Sequence, residues 1–184
     1  MEELLRFKFD QKYVIFDTET EGLNLVSSKP WQLAYIEATG KKINKKHNRF
    51  LKWDDLNVSD DAARITGFNK KEYLSKAEDP EKVYKEFIDL IMDEDVIIVG
   101  QNLLGYDVYM LGVIARNLGI QIDYSFISRI LDTKVIATAL AKGNKTPDKD
   151  DMLAWQLRYL NYRERGLKTN QKFLLQHYEI PFDE

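Results

Sequence analysis

The stretch VIFDTETEGL, residues 14–23, runs three apolar residues directly into Asp17 and Glu19, with threonines at 18 and 20. A β-branched and aromatic run of this kind predicts a strand. Side chains two apart on a strand share a face, so the two carboxylates would lie roughly 6–7 Å apart along the chain. Two like charges so placed cost free energy. Either the strand ends at Phe16 and both acids sit in a solvated turn, or a third acid from another element completes a cluster that a cation neutralises.

Working outward, residues 12–17 read as the first strand, and 31–39 and 46–53 as two more, joined at a turn with Gly40 into an antiparallel meander. Asp79 followed by Pro80 predicts a helix start, and Val83, Phe87, Leu90 and Ile91 then recur at helical spacing. DVIIVG, 95–100, has the unbroken apolar character of a strand buried in a parallel sheet. Residues 102–120 predict a helix closed by Gly119, a short strand falls near Ile130 and Leu131, and helices are expected over 133–141, 151–162 and 170–178. Residues 143–150 read as a loop within the domain. A meander succeeded by alternating strands and helices is an α/β pattern with a mixed sheet.

Composition bounds the chemistry. The 184 residues are one domain's worth of chain, and 44% hydrophobic with 31% charged residues is ordinary for a globular protein. There are no cysteines, which excludes disulfides and thiolate metal sites, and only two histidines, His47 and His177. A metal site must therefore be built from carboxylate oxygens. The net charge of −3 argues against non-specific coating of a polyanion. No apolar run is long enough to cross a bilayer and no secretion signal opens the chain, so the expectation is a cytoplasmic protein without a membrane partner.

Asp107 is the candidate third acid. On a helix it shares a side with Leu111, Ile114 and Leu118, at offsets of four, seven and eleven. That side otherwise reads as core. The alternative is a first-turn aspartate favoured by the helix dipole, which contributes about 0.3–1 kcal/mol. Three clustered carboxylates would repel one another unless hard cations such as Mg²⁺ or Mn²⁺ sit between them, with water and substrate phosphate filling the remaining positions.

FDTETEGL (16–23) resembles the first motif, and IIVGQNLLGYDVYML (97–111) the second, of the DEDD superfamily of 3'-5' exonucleases, the DnaQ-like proofreading group. DAARITGFNKKEY (61–73), ILDTKVIATAL (130–140) and KFLLQHYEI (172–180) resemble further family segments in the right order. The resemblance implies a ribonuclease H-like mixed sheet, with an antiparallel three-strand meander plus parallel strands flanked by helices. It implies that Asp17, Glu19 and Asp107 are catalytic and hold two Mg²⁺ or Mn²⁺ ions, about 3.5–4 Å apart. It further implies a nucleic-acid 3' end as substrate, single-stranded DNA ahead of RNA, release of nucleoside monophosphates, and association with a DNA polymerase. Thr18, Thr20, Leu23, Asn102 and Tyr106 match positions that would bind substrate, Leu23 as a wedge against the terminal bases. Leu23 is equally a turn residue tucked into the core, and Tyr106 equally a core tyrosine.

The departures are as informative. The family's third motif pairs a histidine or tyrosine base with a fourth aspartate on one helix, spaced H-x-x-x-x-D or Y-x-x-x-D. Here His177 and Tyr178 stand six and five residues from Asp183, with Pro181 between them to break the helix. The expectation is therefore a single domain, 1–184, lacking its C-terminal end, inactive or nearly so as it stands, with His177 at the surface. The other outcome is a catalytically silent module of this fold that binds nucleic-acid ends or a polymerase. A third is a structural α/β module whose acids are caps. Glu21 replaces a threonine and would add negative charge beside the cleft, and Glu179 replaces a glycine. Lys41, Lys42, Lys45, Lys46, His47 and Arg49 on one hairpin, and RYLNYRERGLK (158–168), are either solvated faces or guides for single-stranded nucleic acid.

Overall fold

Strand β1 (Lys12–Thr20) carries both acids of the opening stretch inside it, so the strand does not end at Phe16. Val14, Phe16, Thr18 and Thr20 are buried on one face, while Ile15, Asp17 and Glu19 look to the other. The structure is a computed structural model and describes residues 7–144 and 152–181.

β1 pairs antiparallel with β2 (Pro30–Thr39), and β2 antiparallel with β3 (Lys42–Phe50), giving the expected meander. β3 begins four residues before the expected start at 46, because Gly40 at φ 54° closes a tight turn and pairing resumes at once. Two short helices that periodicity did not announce come next, α1 (Asp60–Thr66) and α2 (Lys70–Lys76). Each is started by a side chain accepting a main-chain N–H, Ser59 from Ala62 and Asn69 from Glu72. α1 buries no residue, so it had no apolar stripe to detect.

α3 (Pro80–Met92) starts at Asp79 as expected and buries Val83, Tyr84, Phe87 and Ile91. Next come β4 (Val96–Gly100), parallel to β1, and α4 (Asp107–Asn117). Then β5 (Ile130–Asp132) runs parallel to β4 and leads into α5 (Thr133–Ala141), α6 (Met152–Leu160) and α7 (Gln171–His177). The sheet order is β3-β2-β1-β4-β5, the ribonuclease H-like mixed sheet that the sequence implies. The expected loop at 143–150 falls mostly outside the described residues.

The helix expected from 102 begins only at Asp107, which corrects the sequence reading at the segment that delivers the third acid. Asn102 adopts φ 66°, a single 3-10 turn spans Leu103–Gly105, and Tyr106 takes φ −145°, ψ −68° before the α-helix starts. The cause lies on β5: the Asp132 carboxylate takes the main-chain N–H groups of Asn102 and Leu104, which holds this segment in a turn. Glu179 stands at φ 52°, a conformation that glycine adopts at less cost.

The main core lies between one sheet face and helices α3 and α4. Phe16 meets Phe87 edge-on at 5.0 Å, amid Leu33, Ile98, Leu111 and Ile114. Burial of a Phe of this kind stabilises the fold by about 1.5–3 kcal/mol. On the opposite face α6 covers only the β5 end, where Met152 and Trp155 meet Ala139 and Leu131. Ile15, Ala34, Ile36 and Val99 stay half-buried there, lining with Asp17 an open cavity of about 560 Å³.

Candidate active site

The pairing of β1 with β4 stops at Ile15 opposite Val99, while β1 itself continues to Thr20. Beyond that point one edge of β1 has no strand beside it. The turn after β4 brings Asp107 there: its Oδ1 accepts hydrogen bonds from the Thr18 main-chain N–H at 2.9 Å and the Thr18 hydroxyl at 2.7 Å. A glycine at the end of β4 lets the turn come this close, since a Cβ on Gly100 would stand 2.7 Å from the Phe16 carbonyl oxygen. Asp107 is 2% exposed. It is the first residue of α4, and its carboxylate bonds across to β1.

Burial pushes the Asp107 carboxyl up to about 7, opposed by the Thr18 hydroxyl and aided by the charge of Asp17. Burial and then Asp17 push Glu19 up to about 7 as well. Asp17, although open to solvent at its surface, is also raised by desolvation. Asp17 is thus the electrostatic neighbour of both other acids. By the alternation of β1, Asp17 and Glu19 project from the face opposite the Thr18 side chain, and Asp107 approaches at the strand edge. Among the described residues no group of three or more His, Asp or Glu side chains forms a ready-made metal cluster. As a donor set, however, carboxylates raised by desolvation, two of them also by the charge of Asp17, suit a hard divalent cation.

These shifts set a pH dependence. A carboxyl whose folded pKa is raised favours folding while protonated, and that contribution is lost as pH rises from the unfolded value near 4 through about 7. Mg²⁺ or Mn²⁺ should therefore raise the melting temperature clearly at pH 8 and little at pH 5. Thermal melts with cation against chelator test this; equal increments at both pH values would contradict it.

The other expected site residues divide. Thr20 Oγ1, Tyr106 Oη and the Gly22 carbonyl form a hydrogen-bonded triangle with sides of 2.6, 3.0 and 2.6 Å. This fixes the turn from which Leu23 projects. Leu23 is 88% exposed, so it is not tucked into the core. It faces Ile65, itself 77% exposed, across a cavity of about 410 Å³ whose wall includes Thr18, Glu19, Thr20 and Tyr106. Asn102 is not among the residues lining that cavity; its Oδ1 accepts a bond from Lys134 Nζ at 2.7 Å.

Glu21 is engaged by the main chain. Its carboxylate accepts the main-chain N–H groups of Lys29 at 3.0 Å and Asn57 at 2.8 Å, tying the Leu23 turn to the segment that enters α1. Glu21→Ala should cost about 1–3 kcal/mol in urea unfolding, because two N–H groups lose a charged acceptor. An unchanged midpoint would show that water replaces the carboxylate without loss.

On the hairpin, Arg49 is held by Glu78 and Glu86, so it is not a loose cation, and the His47 ring meets Glu37 at 2.6 Å. His47 stacks on Tyr35, the partner of Phe16, and so lies on the helix-covered face away from the side chain of Asp17. His177 stacks on Phe173 in α7. Asp183 falls outside the described residues. Sequence reasoning gave no role to Asp132 or to Ile65. The Asp-Thr pair between a short strand and a helix was a signal for the first, as an N-cap; an exposed isoleucine on a seven-residue helix left none for the second.

A sheet of this order, with acids at the C-terminal end of its central strand, has the architecture of the ribonuclease H-like nucleases. The family model described as RNase_T, exonuclease, matches residues 14–171, and the chain belongs to that exonuclease family, within the DEDD superfamily. Among solved structures, an exonuclease I in an ExoI/SSB-Ct complex is 20% identical with a TM-score of 0.63, over 82% of this chain and 35% of that one. Escherichia coli exonuclease I with a dT13 oligonucleotide is 19% identical, also at 0.63, over 82% and 35%. A zinc-bound form of its single-stranded DNA complex is 19% identical at 0.63, over 72% and 30%. These similarities establish the fold, and the chain spans about a third of the length of those proteins. No curated protein matches.

Proposed function

We propose that this domain removes nucleoside monophosphates from the 3' end of single-stranded nucleic acid, DNA ahead of RNA, with Asp17, Glu19 and Asp107 holding two Mg²⁺ or Mn²⁺ ions. The observation that supports the proposal is a pair of acids, Glu19 and Asp107, each raised by burial and by the charge of Asp17, with Glu19 in the wall of the cavity beside the exposed Leu23, in a chain of an exonuclease family. When bound, the cations would lower the pKa of an attacking water and stabilise the leaving 3' oxygen. Leu23 and Ile65 offer apolar surface to a terminal base, and Tyr106 with Thr20 keeps the Leu23 turn in place. Thr18 holds the Asp107 carboxylate. A DNA polymerase is the partner that a proofreading role would supply.

Neither described histidine has a contact that puts it beside Asp17 as a base. Low turnover by the 184-residue chain alone is therefore part of the proposal, and the same observation favours a second reading, a silent module that binds 3' ends. Incubating 5'- and 3'-labelled single-stranded DNA and RNA with Mn²⁺ separates them. Cation-dependent monophosphates from the 3' end support the nuclease; binding without product supports the silent module. Products from the 5' end, or product formation indifferent to chelator, would overturn the first reading.

A further inference from the structure

Between α5, α6 and the loop 161–170 lies a concavity of about 230 Å³ that the three acids do not line. Two cations line it, Lys134 from the first turn of α5 and Arg163 from the loop. Neither makes an ion pair among the described residues: Lys134 Nζ donates to the Asn102 amide oxygen at 2.7 Å, and Arg163 Nη1 to the Tyr162 carbonyl at 3.0 Å. The lining carboxylate, Glu164, is already held by Lys142 at 2.7 Å and the Tyr162 hydroxyl at 2.5 Å. Burial and then the charge of Arg163 disfavour the Lys134 ammonium, so the two cations feel one another. The Tyr159 hydroxyl accepts from Asn144 at 2.6 Å, which leaves its own proton to donate. Two cations in a concavity without a free carboxylate make a receptor for an anion.

The position selects the anion. β1, β4 and β5 are parallel, so their C-terminal ends share one edge of the sheet. The acids stand at the end of β1, and Lys134 stands two residues past β5, two strands away, or roughly 10 Å across the sheet. Gln101 Nε2 donates to the Thr169 carbonyl at 2.7 Å, tying the loop to the end of β4. The Lys134 bond to Asn102 joins the pair to the turn that delivers Asp107. We propose that Lys134 and Arg163 hold a backbone phosphate of the single strand whose 3' end lies at Asp17, Glu19 and Asp107. This rests on the nuclease proposal for the substrate class, and the test separates the two.

Binding of a fluorescein-labelled short oligothymidylate is measured by anisotropy over a range of salt, without divalent cation, for the wild-type protein, Arg163→Gln and the double variant Lys134→Met with Arg163→Gln. Among the described residues Arg163 gives up one hydrogen bond, to a main-chain carbonyl, so its variant keeps the test open if the double variant misfolds. Both should bind severalfold more weakly, with the slope of log affinity against log salt reduced by about 0.7 for each phosphate that is no longer neutralised. Wild-type affinity and slope in Arg163→Gln overturn the phosphate site and leave the nuclease reading intact. In a second arm inorganic phosphate is titrated while the Lys134 and Arg163 side-chain resonances are followed. Shifts there in a protein that binds no oligonucleotide would make the pair a free-phosphate site and overturn the strand proposal, as would no response in either arm; the nuclease reading stands or falls separately on the labelled-end assay with Mn²⁺.

Discussion

Asp17→Asn should take the low cation-dependent 3'-end hydrolysis of this chain down to the chelator background. Asp17 is the acid whose charge is felt by both Glu19 and Asp107, so its removal takes away one ligand and relaxes the repulsion that raises the other two. The two effects have opposite signs for the fold. Without divalent cation the variant should be more stable than wild type at pH 8, because Glu19 and Asp107 then ionise at lower cost, whereas Mn²⁺ binding by calorimetry should weaken sharply. Mn²⁺ affinity equal to wild type, or a variant less stable than wild type at pH 8 without divalent cation, would remove Asp17 from the centre of the proposed site.

The second large effect concerns stability. Asp132 is fully buried, and its carboxylate accepts the main-chain N–H groups of Asn102, Leu104, Lys134 and Val135 at 2.9–3.3 Å. Asp132→Ala leaves four donors without that acceptor in a site of low solvent access. The expected cost is about 3–5 kcal/mol, read as a large fall in the urea midpoint with little change in slope. Asp132→Asn keeps the three bonds to Oδ1 but sets an amide NH₂ against the Leu104 N–H, and should cost less. If the alanine variant lost under about 1 kcal/mol, water would have to be satisfying those donors. Because the same carboxylate shapes the turn before Asp107, surviving Asp132→Ala protein should also hydrolyse more slowly.

Much of the sheet was legible because its strands are short and chemically distinct. The unbroken apolar run 96–100 marked a strand in the interior of the sheet, although the face carrying Val99 opens onto a cavity, and Asp79 with Pro80 marked the start of α3 to the residue. The acids were legible as a conflict, a good strand ending in charge and a core-facing helix position occupied by Asp107. What the letters did not carry was any feature set by distant partners. The break at 101–106 depends on a carboxylate some thirty residues later, so helical periodicity ran straight through it. The roles of Glu21 and Arg49 were hidden likewise, since the local sequence gives their charge but not the N–H groups or carboxylates that occupy it. His47 was placed correctly on a hairpin, yet which face it takes is decided only by the register opposite Tyr35.

The bond from the Thr18 amide to Asp107 joins the acid to the backbone of the central strand at a point where no neighbouring strand could take that hydrogen. Deuterium uptake at this one amide is therefore a reporter of whether α4 is docked. Its protection should match that of core amides such as Phe16 while the acid is in place, and fall to that of a sheet edge whenever the helix start swings away, even if the rest of the sheet stays closed.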